Sequence, residues 1–176
     1  MRVLVIAATC VLVACGGSQS SQANNADSNA AAANATAAAV AAPVSGAKAA
    51  AIMRERHEGM EAIGKATKQL RRELGGGSPD IAAVRGSAAK IAGLSKKASG
   101  WFPAGTGPDV GKTGAKPEIW QDPKDFAAKL ASFQRAAAAF NGAASGGDES
   151  TIQARYSDLG GTCKACHDKY RAETNR

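Results

Sequence analysis

A chain of 176 residues with 44% apolar side chains, 5% aromatics and a formal net charge of +7 has room for one domain plus further segments, and its alanine-rich composition suits packed helices better than sheets. The cationic balance does not indicate nucleic acid: basic residues alternate with acids, as in Arg54-Glu55-Arg56 and from Lys68 to Glu73, with no dense run and no interleaved aromatics. A solvated cationic surface that favours acidic protein partners or an anionic surface is the expected consequence.

Residues 1–14 read as a secretory signal. Met1-Arg2 supplies a positive start and Val3 to Ala14 an apolar run, shorter than the about 20 residues a membrane-spanning helix needs. The run ends Leu12-Val13-Ala14-Cys15-Gly16, which resembles the lipobox of bacterial lipoproteins. That resemblance implies lipidation at Cys15 and a domain held on the periplasmic side of a bacterial membrane. An ordinary cleavage site further along, with Cys15 discarded, is the alternative. Residues 15–45 are rich in Gly, Ser, Gln, Asn and Ala with Asp27 as the one charge, so they are expected to form a flexible tether with a reach of roughly 30 Å.

From residue 46 onward the apolar pattern is helical. Met53, Arg56, Met60, Ile63, Thr67, Leu70 and Leu74 recur at steps of three and four, and Gly75-Gly76-Gly77 ends the run. A second helix is expected after Ser78-Pro79-Asp80, with Ser78 as cap and Pro79 in the first turn. Its apolar face runs Ile81, Val84, Ala88, Ile91, Ser95 and Ala98. An irregular stretch rich in Gly and Pro, 100–121, follows, and is expected to cross one end of the fold and cover a site. The third helix starts after Asp122-Pro123, presents Phe126, Leu130, Phe133, Ala137 and Phe140, and is expected to stop at Asn141-Gly142. The fourth opens near Asp148 and carries Ile152, Tyr156, Leu159, Cys163, Cys166 and Tyr170. No segment alternates as a strand does. The expectation is an all-α domain over residues 46–176, an antiparallel four-helix bundle.

The last helix contains Cys163-Lys164-Ala165-Cys166-His167. Cys10 and Cys15 belong to the leader, so only Cys163 and Cys166 remain in the folded part, and outside the cytosol a free pair tends to oxidise. A thioredoxin-type pair would open a helix after a strand, and a structural zinc site would need further ligands, whereas the one other histidine is His57. Residues three apart on a helix share a face, so two thiols can bond one rigid group while His167 reaches its centre. One covalent haem c, with His167 as axial ligand, is the expected occupant. The many inward Ala, Thr and Gly positions leave space for such a large flat guest. No paired nucleophile and base and no phosphate loop argue for hydrolysis, so the expectation is not an enzyme.

Four stretches carry a family resemblance: Arg56-x-x-x-Met60, Trp101-Phe102-Pro103-Ala104-Gly105, Ala115-Lys116-Pro117-Glu118-Ile119-Trp120, and Cys163-Lys164-Ala165-Cys166-His167-x-x-x-Arg171. Together they resemble the class II c-type cytochromes, the cytochrome c-prime group, over residues 46–176. The resemblance implies that Met60 lies over the distal face of the haem. An apolar residue there marks the branch that binds nitric oxide or carbon monoxide. A methionine marks a low-spin branch with His167/Met60 ligation, which is the physics of an electron carrier because it raises the potential and closes the iron. Helix geometry is consistent: at about 100° per residue Arg56, Met60, Ile63 and Leu70 fall within about 80° of arc, with His57 about 100° from its centre. The resemblance also implies that Arg56 meets a haem propionate, that Trp120 packs on the haem edge, that Arg171 tunes His167 on the proximal side, and that a homodimer is a possible state. Electron transfer with redox protein partners is the expected function, with gas-ligand binding as the alternative.

Overall fold

The computed structural model describes residues 42–173. The signal, Cys15 and most of the expected tether lie outside them. Helix α1, Gly46–Leu74, buries Ala49, Arg56, Gly59, Ile63, Ala66, Leu70 and Leu74 along one stripe, and ends where the Gly75 N–H donates back to the Arg71 carbonyl. Helix α2, Ile81–Lys97, starts later than expected. Its cap is Asp80, one carboxylate oxygen of which accepts the Ala82 and Ala83 N–H groups at 2.9 and 3.1 Å. A single oxygen thus satisfies two of the amides that a helix start leaves free, and Ser78 and Pro79 fall outside the helix.

A turn of 3-10 helix, Ala98–Gly100, leads into the irregular crossover, which regains order at the short helix α3, Glu118–Gln121. Helix α4, Pro123–Gly146, has Asp122 as cap and Pro123 in its first turn. It runs through Asn141-Gly142, where a stop was expected, because Ala144 continues the Phe133–Ala137–Phe140 face and is 1% exposed. The Ala144 carbonyl also accepts Arg85 Nε at 2.9 Å. Helix α5, Glu149–Tyr170, is capped by Asp148, whose carboxylate accepts the Thr151 N–H at 2.8 Å.

The long helices form an all-α four-helix bundle in which α1 packs on α2, α2 on α4 and α4 on α5. The main core joins Leu70, Val84, Ile91, Phe133, Phe140, Ile152 and Leu159, each such side chain contributing about 1.5–3 kcal/mol on full burial. The fourth edge is different. Helices α1 and α5 are fastened at one end, where Gln153 Nε2 donates to the Leu74 carbonyl at 2.7 Å and Tyr156 Oη to the Thr67 carbonyl at 3.3 Å. Towards Met60 and Cys163 they do not pack closely.

The crossover is part of the core and not merely a cover. Trp101 is 2% exposed and Thr106 is fully buried. Val44 donates its N–H to the Ala104 carbonyl at 2.9 Å, so the last residues of the stretch read as a tether are seated against the bundle. At its far end the crossover pairs with the chain terminus: the Lys116 N–H reaches the Tyr170 carbonyl at 2.9 Å and the Ala172 N–H the Gly114 carbonyl at 2.8 Å. This isolated bridge is the nearest thing to a strand among the described residues.

Candidate haem-binding site

Helical spacing places Cys163, Cys166 and His167 on one half-buried side of α5. Cys163 packs against the main core. Cys166 packs against a second apolar group built on Ile119, Phe126 and Tyr170. Both are free thiols, and burial raises both of their pKa values above the usual thiol range. Burial, and then the Arg171 charge, hold His167 below the ordinary histidine value, with Asp168 opposing. The imidazole is therefore biased towards its neutral form, which has a lone pair free for a metal.

The end of α5 is held by polar contacts outside this face. Tyr170 Oη donates to Asp125 at 2.6 Å, and Lys169 Nζ bonds Asp122 and Asp125 at 3.0 and 2.9 Å. Arg171 follows the helix as its cap. Its N–H donates to the His167 carbonyl at 3.1 Å, and its side chain is exposed. It acts on His167 through its charge.

Across the unpacked edge stands α1. Met60 is half-buried against the main core, while His57 is on the outside, 74% exposed beside Glu61. Arg56 is 4% exposed. Its Nη1 donates to the Trp101 carbonyl at 3.1 Å and to Thr106 Oγ1 at 3.2 Å, and its Nη2 to the Thr106 carbonyl and Thr113 Oγ1, both at 2.9 Å. The guanidinium also lies over the rings of Phe102 and Trp120, 5.2 and 5.8 Å from their centroids. Every hydrogen-bonding partner is neutral, and among the described residues no carboxylate comes within ion-pair distance. Desolvation accordingly pulls its pKa down.

Trp120 donates its indole N–H to the Phe102 and Pro103 carbonyls at 3.2 and 3.1 Å. It belongs to an aromatic group in which Phe102 meets Phe126 edge-on at 4.7 Å and Phe126 meets Tyr170 at 5.2 Å. This group lies beside Cys166. Sequence reasoning gave weight to Trp120 and Phe102 and overlooked Trp101, although Trp101 is the more deeply buried. Thr106, Thr113 and Asp125 were also overlooked, because their roles come from partners distant in sequence.

The donor set suits a haem. Two thiols and an imidazole share one side of α5, and a methionine and a buried arginine face them across an edge where the helices do not pack. The Trp101 indole N–H is buried without an acceptor, and Arg56 is buried without an anion. Both leave capacity for a group that brings acceptor oxygens.

The sequence profile described as Cytochrome C' matches residues 51–171. A cytochrome c' of Rhodopseudomonas palustris is 36% identical over 123 residues, which is 69% of this chain and 82% of that protein. The cytochrome c' of Thermochromatium tepidum superposes with a TM-score of 0.66 at 29% identity, covering 75% of this chain and all of that one. A nitric oxide complex of a variant cytochrome c prime from Alcaligenes xylosoxidans superposes with a TM-score of 0.65 at 28% identity, over 73% of this chain and all of that one. A CxxCH helix closing a four-helix bundle, matched along most of its length by these proteins, places the chain in the cytochrome c prime family, the c-type cytochromes that carry a single covalent haem c.

Proposed function

We propose that the chain binds a small gaseous ligand, nitric oxide or carbon monoxide, at a haem held between α1 and α5. The observation that carries this reading is the pairing of the Cys163/Cys166/His167 face with an edge of the bundle that α1 leaves unpacked; the bound nitric oxide in the Alcaligenes xylosoxidans relative supports it. When bound, haem supplies an iron centre able to take a diatomic ligand. The chain supplies the rest. Each cysteine adds its S–H across a vinyl double bond, forming a thioether without consuming an oxidant. His167 offers a neutral nitrogen. Arg56 and Trp101 offer donors to carboxylate oxygens, the aromatic group around Phe102 and Trp120 keeps water from the edge, and Arg171 biases the imidazole by charge.

A second reading is electron transfer, and it rests on Met60. This side chain is half-buried on the α1 turn above Arg56, and a thioether ligand would raise the potential and close the iron. The optical spectrum of the reduced protein, with and without carbon monoxide, separates the two. A high-spin ferrous spectrum that carbon monoxide shifts, unaltered by Met60→Leu, is the expected result. A low-spin spectrum indifferent to carbon monoxide, turned high-spin by Met60→Leu, would replace ligand binding with electron transfer. For the leader we propose lipidation at Cys15 and placement on the periplasmic side of the membrane, and for the assembled protein a homodimer.

A further inference from the structure

A run of short hydrogen bonds joins Arg56 to the last turn of α5, and it passes through one side-chain hydroxyl. Arg56 Nη2 donates to Thr113 Oγ1 at 2.9 Å, and the same oxygen accepts the Ala115 N–H at 3.1 Å. The residues on either side of Ala115 then pair with the chain end, Lys116 N–H to the Tyr170 carbonyl and Ala172 N–H to the Gly114 carbonyl. The Arg171 N–H closes the run on the His167 carbonyl at 3.1 Å.

A hydroxyl has two lone pairs, and Thr113 spends both on this run. The remaining Arg56 contacts, to Trp101 and Thr106, fix the entry of the crossover. Thr113 fixes its exit, next to the bridge with α5. If these threonines served only to satisfy a buried guanidinium, Thr106 and Thr113 would be equivalent. Their places in the chain make them different, because Thr106 has no hydrogen bond that leads on to α5; its own hydroxyl donates to the Pro103 carbonyl.

We propose that Thr113 is a positioning residue: it ties the α1 segment bearing Arg56 and Met60 to the His167 end of α5, so that the two faces of the site keep a fixed spacing across an edge where the helices themselves do not pack. The role at the iron rests on the haem reading above. The link between α1 and α5 does not, and its test reads backbone amides.

The test compares wild-type, Thr113→Val, Thr113→Ser and Thr106→Val proteins, full-length and haem-loaded, by native-state hydrogen exchange, reduction potential and carbon monoxide rebinding. Thr113→Val is expected to speed exchange of the Lys116 and Ala172 amides by roughly tenfold relative to amides inside α2 and α4, and to shift both the potential and the rebinding rate. Thr113→Ser restores all three, and Thr106→Val leaves the Lys116 and Ala172 amides as in wild type. Equal loosening by the two valine variants, or none by Thr113→Val, overturns the proposal. Loosened amides with unchanged potential and rebinding also overturn it, since Thr113 would then only support the loop. If Thr113→Val does not fold, the wild type decides: the Lys116, Arg171 and Ala172 amides should open together with one urea dependence, and independent opening overturns the link. A preparation without Soret absorption would sink the haem reading and leave the exchange comparison standing.

Discussion

A β-carbon at Gly59 would collide with Cη2 and Cζ2 of Trp101, whose ring lies flat against the α1 backbone at that point. The collision is with a rigid, buried ring, so Gly59→Ala should destabilise the protein by about 1–3 kcal/mol, read as a lower urea midpoint with an unchanged slope and a shift in tryptophan emission. An unchanged midpoint would mean that Trp101 does not pack there. In the sequence, a glycine in mid-helix registers only as a weak helix former, and its reason is invisible until the crossover is placed. Cys163, Cys166 and His167 are the opposite case: their chemistry is written in adjacent letters, and the fold had only to put them on one face. Met60 and Arg56 stand between these extremes. Helical phase pointed both inward, but the neutral acceptors that surround Arg56, two of them on Thr106 and one on Thr113, required the folded crossover.

Helix ends and helix edges were legible to different degrees. Asp122-Pro123 and Asp148 marked starts that the structure keeps, because an N-cap is a local bargain between one side chain and nearby amides. Hydrogen bonds from Ser150 and Thr151 hold the Asp148 carboxylate at a pKa of about 2, below its ordinary 3.8. Because the folded value is the lower one, its contribution is complete above pH 3.8 and fades as pH falls towards 2. Asp148→Ala should therefore lower the Tm at neutral pH, with the gap to wild type closing through that window; a gap independent of pH would refute the cap. The end of α4 was misjudged for a tertiary reason. Asn141-Gly142 is a local stop signal, yet burial of Ala144 beyond it and the Arg85 bond to its carbonyl hold the helix open-ended. Gly142 then sits exposed inside a helix with no heavy atom near its missing β-carbon. Gly142→Ala should stabilise the protein by about 0.5–1 kcal/mol, and destabilisation on chemical denaturation would show that the local backbone is not helical.

Over the whole molecule, composition and phase were enough for the four-helix bundle, since each amphipathic face needed a partner and short connections limited the order. The crossover was less transparent. Its Gly and Pro content suggested a lid, whereas Trp101, Thr106 and the Val44 contact make it part of the interior. The leader carries its own prediction: with Cys15→Ser, processed protein should move from the membrane fraction to the soluble periplasmic fraction and lose fatty-acid labelling, while a wild-type protein already free in the periplasm would refute the anchor. The thinly fastened edge between α1 and α5 bears on how such a protein is made. Three sides of the bundle close on ordinary side-chain packing, and the fourth is latched near Leu74 and left ajar at the cysteines. Maturation enzymes thus meet a nearly finished book standing open at one page, so loading the cofactor calls for parting two covers rather than unravelling the binding.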